Sequence, residues 1–175
     1  MADRPHIIIF NPDQWRGDVL GHMGNPAAVT PNLDRLMETD GVSFRHASCQ
    51  LPVCTPSRCS FMTGWYPHVR GHRSQLYMLR EHEPVLLETL KDNGYFVWWS
   101  GKNDLVPAQH GYDRVCDVKN QIKGPFPPLD TEYELGKPGD PGVCSFLMGK
   151  IHKDSEASYH RDGDWAHIED AVEFI

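Results

Sequence analysis

His6-Ile7-Ile8-Ile9-Phe10-Asn11-Pro12-Asp13-Gln14 is the stretch from which the fold is read. Four consecutive apolar residues, three of them β-branched, are what a strand inside a parallel sheet carries, because helices cover both of its faces. Asn11-Pro12 ends the run, since proline cannot donate into a sheet ladder. Asp13 and Gln14 then fall at the strand's carboxyl end, the edge where open α/β sheets bind ligands.

Working outward, Thr30-Pro31 supplies an N-cap and an N1 proline. Leu33, Leu36 and Met37 follow at helical spacing, and Gly41 closes that helix. Val42–Ser48 reads as extended. Thr55-Pro56 repeats the cap-plus-proline pattern and predicts a helix over Ser57–Met62, stopped near Gly64. Glu83-Pro84 opens a third helix, with Leu86, Leu87 and Leu90 on one face and Gly94 at its end. Tyr95-Phe96-Val97-Trp98-Trp99 reads as a second interior strand, and Ser100-Gly101-Lys102 lies at its end. Strand, helices, strand in this order is an α/β pattern. Residues 1–118 are expected to carry the core strands and helices. Prolines and glycines make 119–163 an irregular excursion, and 164–175 begins a further helix. That helix reaches Ile175 without a C-cap, so the chain reads as the N-terminal portion of a longer domain.

Composition narrows the function classes. With 39% hydrophobic residues the chain can bury a core. A formal charge of −7 and the absence of basic runs give no attraction for nucleic acid or an anionic membrane surface. No apolar run is long enough to span a bilayer, and Met1–Pro5 lacks a secretory h-region, so the expected address is cytoplasmic. Five cysteines without a Cys-x-x-Cys pair argue against a disulfide framework and a structural zinc site.

The chemistry concentrates at Cys54-Thr55-Pro56-Ser57-Arg58-Cys59-Ser60-Phe61-Met62-Thr63-Gly64. A thiol at a helix start faces unpaired backbone N–H groups and the positive end of the helix dipole. That setting suits a bound oxyanion or a negatively charged nucleophile. Arg58, one turn on, can reach the same spot. Asp13 and Gln14 are hard oxygen donors suited to Ca²⁺, Mg²⁺ or Mn²⁺. None of the ten histidines forms a paired metal motif; His68, His72 and His110 are candidates for substrate contact only.

Cys-x-Pro-Ser-Arg followed by Thr-Gly resembles the type I sulfatases of the alkaline phosphatase superfamily. So do Thr30–Leu36 with Gly41–Phe44 before it, Tyr66-Pro67-His68 after it, and Leu87–Lys102, in the same order over about residues 6–113. The resemblance implies part of an alkaline-phosphatase-like sandwich, a mostly parallel central sheet flanked by helices. It implies a hydrolase of small-molecule or sugar sulfate esters, with Cys54 converted to formylglycine by a maturating enzyme. One hydroxyl of the hydrated aldehyde would attack sulfur, and the other would later expel sulfate. It further implies one divalent metal, Ca²⁺ foremost, held by Asp13, Gln14 and the converted Cys54. Arg58 and Lys102 would complete the catalytic set. Where the family has the histidine of Gly-Lys-x-His this chain has Asp104, which with His68 and His72 is a candidate substrate contact. The Asp-Gln pair resembles the subset that includes choline sulfatases and phosphonate monoester hydrolases. A phosphonate monoester hydrolase or phosphodiesterase, or a non-catalytic sulfatase-like protein, is therefore the alternative. The family's later metal ligands and its second lysine are not found after residue 113, so the chain alone is expected to be inactive.

Overall fold

The computed structural model describes residues 4–120 and 163–175. Their backbone is α/β: five α-helices, two 3₁₀ turns and one small parallel sheet. The described residues fall into two units, 4–95 with 103–115, and 96–102 with 116–120 and 163–175. Most of the expected excursion over 119–163 lies outside the described residues.

In the first unit, α1 (Pro31–Thr39) starts as its sequence dictates. Thr30 is the N-cap, Pro31 presets the first turn, and the Asp34 amide donates to the Thr30 carbonyl. The Thr30 hydroxyl does not cap the backbone; it donates to the Asp34 carboxylate and accepts from the Gly21 amide. The helix α2 (Cys54–Thr63) begins two residues earlier than Thr55-Pro56 suggested, with extended Val53 as its N-cap. Cys54 therefore stands inside the first turn instead of ahead of it. Gly64 ends α2 in the left-handed region, φ 74°, which a residue without a Cβ adopts freely. The short α3 (Pro67–Arg70) follows, and α4 (Leu86–Asp92) starts beyond Glu83-Pro84, with Val85 as its N-cap. Both α3 and α4 pack against α2.

The core of this unit is Leu79, Val85, Leu87, Leu105, Val106 and Val115, with Thr55, Pro56 and Cys59 from the inner face of α2. Each large apolar side chain so buried contributes roughly 1.5–3 kcal/mol. Glu83, read from the sequence as a helix start, has no exposed surface. Its Oε2 accepts from His72 Nε2 at 2.9 Å and from the Arg80 amide at 2.9 Å, and its Oε1 has no hydrogen-bond partner. His72 Nδ1 meets the Tyr77 carbonyl at 2.6 Å. A carbonyl only accepts, so Nδ1 carries a proton, and a further proton lies between Nε2 and the carboxylate.

The second unit holds β1 (Trp98–Trp99) and β2 (Val118–Lys119), paired in parallel with Trp98 opposite Val118 and Trp99 opposite Lys119. Asp117 caps the pair's entrance, its carboxylate accepting from the Val97 amide at 2.7 Å. α5 (Gly163–Phe174) ends in Phe174, whose ring stacks on Phe96 and Trp98.

The opening apolar run departs from its reading. Residues 6–10 form no strand, and Ile8 and Phe10 are 72% and 67% exposed. A buried parallel strand needs a hydrogen-bonding neighbour and a cover on each face, and no described strand pairs with this one. The apolar residues of α1 are left in the same condition: Leu33 and Leu36 are both exposed.

His72→Ala leaves the Glu83 carboxylate buried without its side-chain donor and is expected to cost about 3 kcal/mol, read as a lower urea midpoint. Gly64→Ala costs about 1 kcal/mol by backbone strain alone, because a Cβ there meets nothing within 4 Å.

Candidate active site

The approach to Cys54 is built by backbone geometry. The Val53 amide donates to the Leu51 carbonyl at 2.8 Å, and Val53 then turns its own carbonyl into α2, where the Ser57 amide meets it at 2.9 Å. The amides of Cys54 and Thr55 precede that first helical bond, Pro56 has none, and no side chain caps this end. The helix thus presents donors and its positive end where the Cys54 side chain leaves the backbone. Thr55, Pro56, Cys59 and Ser60 are buried, whereas Cys54 is half-exposed.

Arg58 stands one helical turn from Cys54 on the same face. Its Nη2 lies 3.5 Å from Asp13 Oδ1, with the guanidinium side chain largely buried and the carboxylate about a third exposed. Asp13 belongs to a turn made possible by Gln14, whose φ of 54° is left-handed. A thiol, a guanidinium and a hard carboxylate, 45 residues apart in sequence at the widest, are thereby gathered at the start of α2. Gln75 joins them: its Nε2 donates to Cys54 Sγ at 3.3 Å.

Asp13 and Gln14 supply two oxygen donors of the kind a hard cation takes, fewer than the six to eight that Ca²⁺ gathers. Among the described residues no group of three or more histidine, cysteine, aspartate or glutamate side chains converges on one point. The donor set fits one side of a metal shell.

Lys102 is exposed and follows β1 and left-handed Gly101, in the second unit. Asp104, in the first unit, is half-buried and left-handed at φ 44°. His68 is exposed on α3 and stacks on Tyr66 at 5.8 Å between ring centroids. His72 is 3% exposed with both nitrogens engaged, so it offers nothing to a substrate in this structure. His110 faces Glu81 at 3.7 Å and lines a cleft of about 630 Å³ with Leu76–His82 and Pro107–Gln109; Cys54 is not in its walls. Gln75 and the Glu83–His72 pair escaped the sequence reading. A loop glutamine carries no pattern, and a Glu beside proline reads as a helix start.

The cysteines near the site differ sharply. Cys49 is exposed, whereas Cys59 is fully buried and its thiol is pushed up to about 12 by burial, with a further push from the Glu83 charge. The folded state therefore keeps the Cys59 proton where an unfolded chain, with its thiol near 9.0, gives it up. Stability is expected to fall from about pH 9 toward pH 12 at up to about 1.4 kcal/mol per pH unit. Urea titrations across that range should show the slope, and Cys59→Ala should remove it.

Comparison with known proteins gives one family. The sulfatase family profile matches residues 5–145. An arylsulfatase of Clostridium perfringens is 46% identical over 118 residues, 67% of this chain and 24% of that protein. An ulvan-active sulfatase of Formosa agariphila is 39% identical over 99 residues, 57% and 19% of the two chains. Human N-acetylgalactosamine-6-sulfatase is 32% identical over 141 residues, 70% and 27% of the two. The chain spans about a fifth to a quarter of the length of these relatives. No solved structure matches it significantly.

Proposed function

The chain belongs to the sulfatase family, and from that premise we propose that it serves the hydrolysis of sulfate esters, with Cys54 supplying the reacting side chain after conversion to formylglycine. The observation that carries this reading is the gathering of Cys54, Arg58 and Asp13 at the uncapped start of α2. The names of its relatives support it: they include an arylsulfatase and a sulfatase of a sulfated sugar. The substrate class is accordingly a small-molecule or sugar sulfate ester. The fold belongs, on this reading, to an alkaline-phosphatase-like sandwich whose mostly parallel sheet would extend the β1–β2 pair.

Each residue then has a physical role. The amides at the start of α2 and the Arg58 guanidinium bind the anionic sulfuryl oxygens, the guanidinium as a planar, permanently charged donor. Arg58 also restrains Asp13, keeping its carboxylate turned toward the helix start. Asp13 and Gln14 would hold one divalent metal, Ca²⁺ foremost, which when bound supplies positive charge to a sulfate oxygen. Lys102, at the carboxyl end of β1, is assigned the charge that develops on the leaving oxygen. Asp104 and His68 are assigned to the non-reacting part of the substrate. His72 is reassigned from substrate contact to support.

In the full-length protein, Cys54→Ala is expected to lower kcat on an aryl sulfate by roughly a thousandfold or more. Peptide masses of the wild type should show Cys54 converted. A Cys54→Ala enzyme of wild-type activity would sink the assignment. Asp13→Ala should release the metal on desalting, measured by elemental analysis, with a loss in kcat of about a hundredfold or more.

A further inference from the structure

We propose that Gln75 is a further residue of the position-54 site, its side-chain amide donating to the reacting atom and holding it in place. The proposal rests on the reading of Cys54 as the reacting residue. Its first observation is the hydrogen bond itself, Gln75 Nε2 to Cys54 Sγ at 3.3 Å. An amide N–H can only donate, so it favours the atom at position 54 most when that atom is richest in electrons, as an attacking nucleophile is.

The second observation is how the backbone beneath this flexible side chain is held. His72, on one side, is buried with its ring bonded to the Glu83 carboxylate and the Tyr77 carbonyl. Leu79, on the other, is 2% exposed and its amide donates to the Leu105 carbonyl at 2.8 Å. Between these anchors the Tyr77 amide reaches the Ser74 carbonyl at 3.2 Å, and the Leu76 amide reaches the Ser74 hydroxyl at 3.3 Å. Residues 74–77 are thus a closed turn with Gln75 as its second residue. His72 grips the carbonyl of the turn's last residue. The buried His72–Glu83 pair, which no step of the chemistry uses, thereby fixes the base from which Gln75 reaches the sulfur. With the backbone fixed in advance, only the Gln75 side chain has freedom to lose when the reaction occurs. Gln75 is also uncharged, so it complements Arg58 without adding a second positive charge beside the helix start.

Two near-isosteric variants test this in the full-length protein: Gln75→Leu, which removes the N–H, and Gln75→Glu, which replaces the donor by a negative acceptor. In protein made without a maturating enzyme, alkylation of the Cys54 thiol by iodoacetamide is followed by peptide mass at fixed pH. Cys49 serves as the internal reference. The rate should fall about threefold in Gln75→Leu and about tenfold in Gln75→Glu, because the thiolate loses a donor and then gains a repelling charge. In converted enzyme, Gln75→Leu should lower kcat on p-nitrophenyl sulfate about tenfold with KM within about twofold. Wild-type alkylation rates in both variants, or a wild-type kcat in Gln75→Leu, overturn the proposal. A residue that merely shapes the turn would change neither. An active Cys54→Ala enzyme would instead overturn the reading of position 54, and the alkylation result would still stand apart from it.

Discussion

A carboxylate with no exposed surface has to be held by donors, and the first unit is arranged around one. Glu83 accepts from the His72 ring and the Arg80 amide, while its own carbonyl accepts from the Arg114 guanidinium. Arg114 also forks onto the Glu88 carboxylate of α4, with both contacts at 2.8 Å. Cys59, in the middle of α2, feels the Glu83 charge. The turn at 74–77, the entrance to α4 and the inner face of α2 therefore share one buried polar centre. Removing His72 would leave the fully buried Glu83 carboxylate without its side-chain donor.

The site hangs from that centre and from one helix start. α2 packs Thr55, Pro56, Cys59 and Ser60 on the core, and Cys54 and, one turn later, Arg58 lie half-buried beside that face. The Asp13–Gln14 turn meets Arg58, and the turn held by His72 delivers Gln75 to the sulfur. Groups from three separate stretches thus meet at the start of α2. None touches the others in sequence, and each is brought in by backbone that is fixed elsewhere.

How much of this was legible varies by element. Local signals carried far: the Pro31 start of α1 and the Gly64 end of α2 are where short-range chemistry puts them, whereas of Tyr95–Trp99 only Trp98–Trp99 pairs as a strand and Phe96 is exposed. The start of α2 lies two residues before the one its Thr55-Pro56 pair predicts, because extended Val53 takes the cap position without any side-chain bond to announce it. Glu83 differs for the opposite reason. A Glu before proline looks like a helix start, and only the fold shows that a histidine 11 residues earlier claims its carboxylate. His6–Phe10 has the composition of a central strand, yet a strand is made by its neighbours, and none of those described pairs with it.

By itself the sequence determined the family, the order of its motifs and the residue types at the helix start. Those depend on local identity: a cysteine two residues before a proline, an arginine one turn on, an acidic residue ending an apolar run. Only the tertiary structure decided which groups meet: Arg58 with Asp13, Gln75 with Cys54, and His72 with Glu83. Such meetings depend on burial and on contacts between distant stretches, for which spacing along the chain carries no signal.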